Sequence, residues 1–292
     1  MLHIAGEQLS LIPKVRFFVN EYVNLFYHLL VLFSEYFSDE ESLGFLNNSA
    51  YRQKYEHLKT EKLHRLFQSL QEHSFYAWDF AGKSLFEANT MDSVAEALKN
   101  TSQKVAGIWF EIYSEAFNSY EDVWTQTKPK LEEYAQKFEM EWNSISASVL
   151  SRMSNIVKCP WKYETVNVHF VDCLYGASAW VKDIALAPFP DTDVEKKLLS
   201  HELAHTLVPD HFLKTKLRDF GLDISLSHTI VDLIAYLSVK EHIANSEQRG
   251  IKPNPDYYEQ VDRLYPIFED CYKHPETCRG FDEILGRITR TS

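Results

Sequence analysis

The chain has 292 residues, of which 45% are hydrophobic and 25% charged, with a formal net charge of -12. That apolar share is ample for one large or two modest packed cores, and the acidic balance excludes nucleic-acid binding of the kind that rests on Lys and Arg clusters. Only nine glycines occur in the whole chain, which points to high helix content and few tight turns.

Residues Met1 to Arg16 lack the basic start, apolar run and small-residue cleavage site of a secretory leader, so a cytoplasmic location is expected. From there to Val157 the sequence reads as long helices with few breakers: Val15 to Phe37, Tyr51 to His73, Met91 to Leu98, Thr101 to Phe117, and Tyr120 to Val157 around Pro129. The first is the most apolar, but Asn20, Glu21, Asn24, His28 and Glu35 interrupt it, and a bilayer core penalises such groups. We therefore expect a buried helix there and no membrane partner. Residues 1–157 form an expected all-helical domain, and at Lys158-Cys159-Pro160 helical periodicity gives way to alternation, opening a second domain over 158–292.

Two strand-like runs open this second part. Val166 to Val171 alternates around His169, and Ala179 to Ala187 follows Gly176. A helix should start near Asp191, where Thr192 and Glu195 have capping-box spacing and Pro190 stands just before. Val194, Leu198, His201, His205 and Val208 then share one face, while Leu199, Leu203 and Leu207 share another, so the helix is covered on two sides. Val208-Pro209 ends it, because the residue before proline avoids the helical region and proline offers no amide hydrogen.

Within this helix, His201-Glu-Leu-Ala-His205 has the H-E-x-x-H spacing of a catalytic zinc site. Residues four apart stack on one side of a helix, so two imidazoles converge on one point. Glu202 lies roughly 100° around the cylinder, where its carboxylate can reach a water rather than the ion. Neutral imidazole suits zinc, which keeps a position open for water and lowers that water's pKa to about 7, while a neighbouring carboxylate takes the proton. One Zn2+ per chain is expected.

Strand, strand and H-E-x-x-H helix in that order resemble the zincin metallopeptidases, in which a small sheet lies over the metal helix and its edge strand pairs with substrate. That resemblance implies an α+β, predominantly helical fold, an all-helical domain followed by a zincin-like catalytic domain, with Ser178, Ala179 and Trp180 as candidates for the substrate-facing edge. It also implies hydrolysis of a peptide or protein substrate with Glu202 as general base and acid. Three residues compete for third ligand. His211 stands where the metzincin family places its third histidine, yet Val208 replaces that family's turn glycine and no methionine follows Met153. A second helix, Leu226 to Ile243, carries His228, Asp232 and Tyr236 every fourth residue inside apolar surroundings. It resembles the gluzincin arrangement of Glu-x-x-x-Asp with histidine in place of the glutamate. On that resemblance His228 is the expected third ligand and Asp232 the acceptor that fixes the tautomer of the first histidine. Asp232 remains an alternative ligand, because Asp232-Leu-Ile-Ala also resembles the Glu-Gly-Leu-Ala stretch of aminopeptidase-type gluzincins.

The four cysteines, at 159, 173, 271 and 278, show no framework spacing, and reduced thiols are expected, with Cys271, His274 and Cys278 able to form a second metal cluster or a small disulfide loop instead. In a cytoplasmic protein the sequons at Asn47 and Asn100 are chance matches. The alternative to a peptidase is a non-catalytic, zinc-stabilised helical binding protein.

Overall fold

The computed structural model describes residues 12–36, 46, 48–73, 85–99, 101–244 and 255–291. The sequons at Asn47 and Asn100 lie outside them. In chain order the elements are β1 (Lys14–Phe18), α1 (Glu21–Leu32), α2 (Ser49–Tyr55), α3 (Glu61–Gln71), α4 (Met91–Leu98), α5 (Gln103–Val157), β2 (Thr165–Phe170), β3 (Ala177–Trp180), β4 (Asp183–Leu186), α6 (Thr192–Leu207), α7 (Asp210–Asp219), α8 (Leu226–Val239), α9 (Pro255–Lys273) and α10 (Phe281–Thr291). The fold is mostly helical with one small mixed sheet, an α+β architecture. Among the described residues no helix is long and apolar enough to cross a membrane.

Two compact units divide the chain. One takes, of the described residues, 12–15, 142–166, 199–244 and 255–291; the other takes 16–36, 46, 48–73, 85–99, 101–141 and 167–198. No division point falls at the expected boundary of 157/158. The two units interleave along the sequence because α5 runs unbroken from Gln103 to Val157, with Pro129 inside it. The expected interruption between Phe117 and Tyr120 is absent, since Asn118 and Ser119 are only mild helix formers and neither breaks a helix flanked by buried Ala116, Tyr120 and Val123.

In the second unit α1 shows why its polar residues belong in a core. The helix is shorter than expected from Val15 to Phe37, because Lys14–Phe18 is a strand. Asn20 separates the two, and its Oδ1 accepts from the Tyr22 and Val23 amides at 2.8 and 3.2 Å. Every residue from Tyr22 to Leu32 is buried. Asn24 donates to the Phe170 carbonyl at 2.9 Å and accepts from the Asp172 amide at 3.1 Å, while His28 Nδ1 meets the Tyr51 hydroxyl at 2.8 Å. With each polar group partnered, burial is affordable where a bilayer would leave it unpaired. The expected single helix from Tyr51 to His73 is two, because Thr60 caps a fresh start by accepting from the Leu63 amide at 3.1 Å.

The sheet has the order β1-β2-β4-β3, with β2 and β4 parallel, Val168 opposite Ile184, and β3 and β4 antiparallel. The single strand expected from Ala179 to Ala187 is instead a tight hairpin. Val181 turns the chain with φ 63°, a left-handed conformation that β-branched residues rarely adopt. β3 is therefore an edge strand, half-buried along its length, and Trp180 donates its indole N–H to the Tyr27 hydroxyl at 2.7 Å.

In the first unit α8 is buried on nearly every side, as its apolar composition requires. Thr229 on α8 donates to the Gln260 side chain on α9 at 2.7 Å. Beyond α9 the turn Pro275–Thr277 reverses the chain, and Cys271 and Cys278 form a disulfide with their Cα atoms 5.7 Å apart. The expectation of reduced thiols is corrected for this pair: a spacing of seven residues carries no framework signal, and only the turn brings the two within bridging range. Cys159 and Cys173 are free.

Candidate metal centre

α6 begins beside a carboxylate different from the one expected. Asp191 Oδ1 accepts from the Asp193 amide at 2.9 Å, whereas Glu195 is turned away from the helix start. Its Oε1 accepts from the Phe189 amide at 3.0 Å and its Oε2 meets the Tyr134 hydroxyl. The Thr192–Glu195 capping box is thus replaced by a clamp on the segment leading into the helix. Burial, the largest cause, pushes the Glu195 carboxyl up to about 7.

Nearly two turns further on, in the first unit, the imidazoles of His201 and His205 meet. Their ring centroids are 4.8 Å apart and their Nε2 atoms 3.1 Å apart. The opposite nitrogens touch carboxylates: His201 Nδ1 stands 2.6 Å from Asp232 Oδ1, and His205 Nδ1 stands 2.9 Å from Asp210 Oδ1. With the proton on each Nδ1, the tautomer that a neighbouring carboxylate favours, the two Nε2 atoms face one another as donors to a shared cation, and a tetrahedral zinc with bonds of about 2.0–2.1 Å sets its donors about 3.3 Å apart.

His228 completes the set. Its ring lies 5.4 Å from that of His201 and 5.1 Å from that of His205, and one nitrogen from each of the three histidines falls within 4.8 Å of the others. Closing on one ion takes a shift of roughly 1–2 Å in the ring that stands furthest off. Among the described residues this is the group of three that could hold a metal. His201 is buried, whereas His205 and His228 are reached by solvent. The donor set, three neutral imidazoles, fits zinc.

Asp232 is buried at 4% exposure, its Oδ1 lies 2.6 Å from His201 Nδ1, and it is not one of the group of three. The stripe on α8 is less enclosed than its sequence suggests, because His228 faces solvent while Asp232 does not. His211 is the second residue of α7, exposed and outside the group. The chain does not turn back after Val208; it starts a new helix at Asp210, as the missing glycine requires. Glu202 follows His201 directly and is buried at 7% exposure. Ser178, Ala179 and Trp180 lie on the edge strand of the other unit.

Asp210 is the residue that sequence reasoning missed. The His205 imidazole beside it holds its carboxyl well below the usual carboxylate range. Its one available signal is its place directly after the Val208-Pro209 break, five residues beyond His205. No protein-family model, curated protein or solved structure matches the chain.

Proposed function

We propose that this chain is a zinc-dependent peptidase of gluzincin-like type, with His201, His205 and His228 as ligands and Glu202 as general base and acid. The single observation that carries the reading is the pair of Nε2 atoms 3.1 Å apart, each ring fixed from behind by a carboxylate. When bound, zinc supplies an acidified water and polarises the scissile carbonyl.

The chain's own residues do the rest. Asp232 and Asp210 hold the two rings in the tautomer that leaves Nε2 free. Glu202, one residue after a ligand on the same helix, takes the proton from the attacking water and returns it to the leaving amine. The substrate is a peptide or protein. A cytoplasmic location fits Cys159 and Cys173 as thiols, while the Cys271–Cys278 bridge fits an oxidising compartment better.

The test compares hydrolysis of a quenched peptide mixture by wild type and Glu202→Gln, each loaded with zinc. Loss of 10²-fold or more in the mutant with zinc retained supports the base. Equal rates remove Glu202 from the chemistry, and zinc uptake without hydrolysis in wild type favours a zinc-stabilised binding protein.

A further inference from the structure

We infer that Asp210 is a positioning residue for the metal centre, holding the His205 ring so that Nε2 faces the ion. The inference rests on the zinc reading above. The His205 Nδ1 to Asp210 Oδ1 separation is 2.9 Å, and the second oxygen, Oδ2, stands 3.6 Å from Lys214 Nζ one helical turn along α7. Both oxygens of one carboxylate are thus engaged, one on the ligand and one on a cation of its own helix.

The location explains the need. His205 lies in the last turn of α6, two residues before the helix ends at Leu207, where backbone restraint is weakest. An imidazole turns about two side-chain bonds, and a metal ligand must keep both its plane and its tautomer. His201 obtains both from Asp232, a residue of α8. His205 has no such neighbour from α8 among the contacts of its Nδ1, and Asp210 serves it from the far side of the Pro209 break. Pro209 presets the turn: its φ of -57° and ψ of 144° aim the chain into α7, and its carbonyl accepts from the Leu213 amide at 3.0 Å. The backbone of Asp210 is therefore fixed as the first residue of α7.

A rival role is available to the same residue. A carboxylate in the first turn of α7 also favours that helix through its dipole. The two roles predict different readouts: helix stabilisation moves the melting temperature and leaves zinc affinity alone, whereas positioning moves affinity.

The experiment measures zinc affinity by competition with a chromophoric chelator for wild type, Asp210→Ala, Asp210→Asn and Lys214→Ala, with circular dichroism to verify folding. Asp210→Ala should bind zinc 10- to 100-fold more weakly. Asp210→Asn keeps an oxygen that accepts the Nδ1 proton and should lose clearly less, and Lys214→Ala, which frees only the second oxygen, should lose no more than Asp210→Asn. The visible spectrum of the cobalt form should change in Asp210→Ala alone. Wild-type affinity in Asp210→Ala, or an equal loss in Asp210→Asn, overturns the positioning role while leaving the zinc site standing. A wild type that takes up no zinc overturns the zinc reading and this inference with it.

Discussion

Asp232 on α8 brings Oδ1 to within 2.6 Å of Nδ1 of His201 on α6, so the first half of the proposed metal site is braced by a carboxylate that solvent barely reaches. Removing that carboxylate leaves the buried ring nitrogen beside it uncompensated, at a cost of about 1–3 kcal/mol, and frees the ring to turn. Asp232→Ala should lower the denaturation midpoint and weaken zinc binding by 10- to 100-fold. Chelator competition and urea titration check both effects, and zinc affinity equal to wild type would show that the brace is only a packing contact.

The Tyr134 hydroxyl faces two oxygens, the Phe189 carbonyl at 2.7 Å and Glu195 Oε2, with one proton to give. A carbonyl only accepts, so both contacts are satisfied when Glu195 itself carries a proton. This agrees with a carboxyl that burial raises from 4.5 to about 7. Between those values the folded chain binds a proton that the unfolded chain releases, so the contribution to stability is complete below 4.5 and is lost as pH rises through 7. Thermal melts of wild type should fall across that window more steeply than those of Glu195→Gln, whose side chain stays neutral. Parallel slopes would contradict a protonated Glu195.

Val181 holds φ at 63° with the residue 53% exposed, so the turn strains the backbone with little packing in return. A β-branched residue in that region costs of order 1–3 kcal/mol. Glycine removes the strain and adds unfolded-state entropy of about 0.5–1 kcal/mol. Val181→Gly should therefore raise stability by about 1 kcal/mol in urea unfolding, and a drop would mean that the valine side chain contributes more than the strain removes.

Unfolding the protein without reductant should expose two reactive thiols, Cys159 and Cys173, and reduction should raise the number to four. Titration with a thiol reagent in guanidinium reads the count directly. Four thiols before reduction would exclude the Cys271–Cys278 bridge from the protein as isolated.

What the sequence made legible follows from how locally each feature is encoded. The histidine pair on α6 is set on one face by helical spacing alone, and His228 with Asp232 by the same four-residue period on α8. Met91 to Leu98 was legible too, since Thr90 and Ser93 cap it within four residues. β1 was not, because Lys14 to Phe18 merges into the apolar run of α1 and only pairing with β2 distinguishes it. The interleaved units, the disulfide and Asp210 depend on where turns return the chain. Asp210 reaches His205 across a proline break, a relation that no periodic pattern carries.

The central claim is that three histidines on two helices hold one zinc ion. Elemental analysis of wild type and His228→Ala, each equilibrated with zinc and then dialysed against metal-free buffer, tests it most directly. The account predicts one zinc per wild-type chain and a substoichiometric amount in the mutant. Wild type emerging without zinc would contradict the site, and full occupancy in His228→Ala would remove His228 from it.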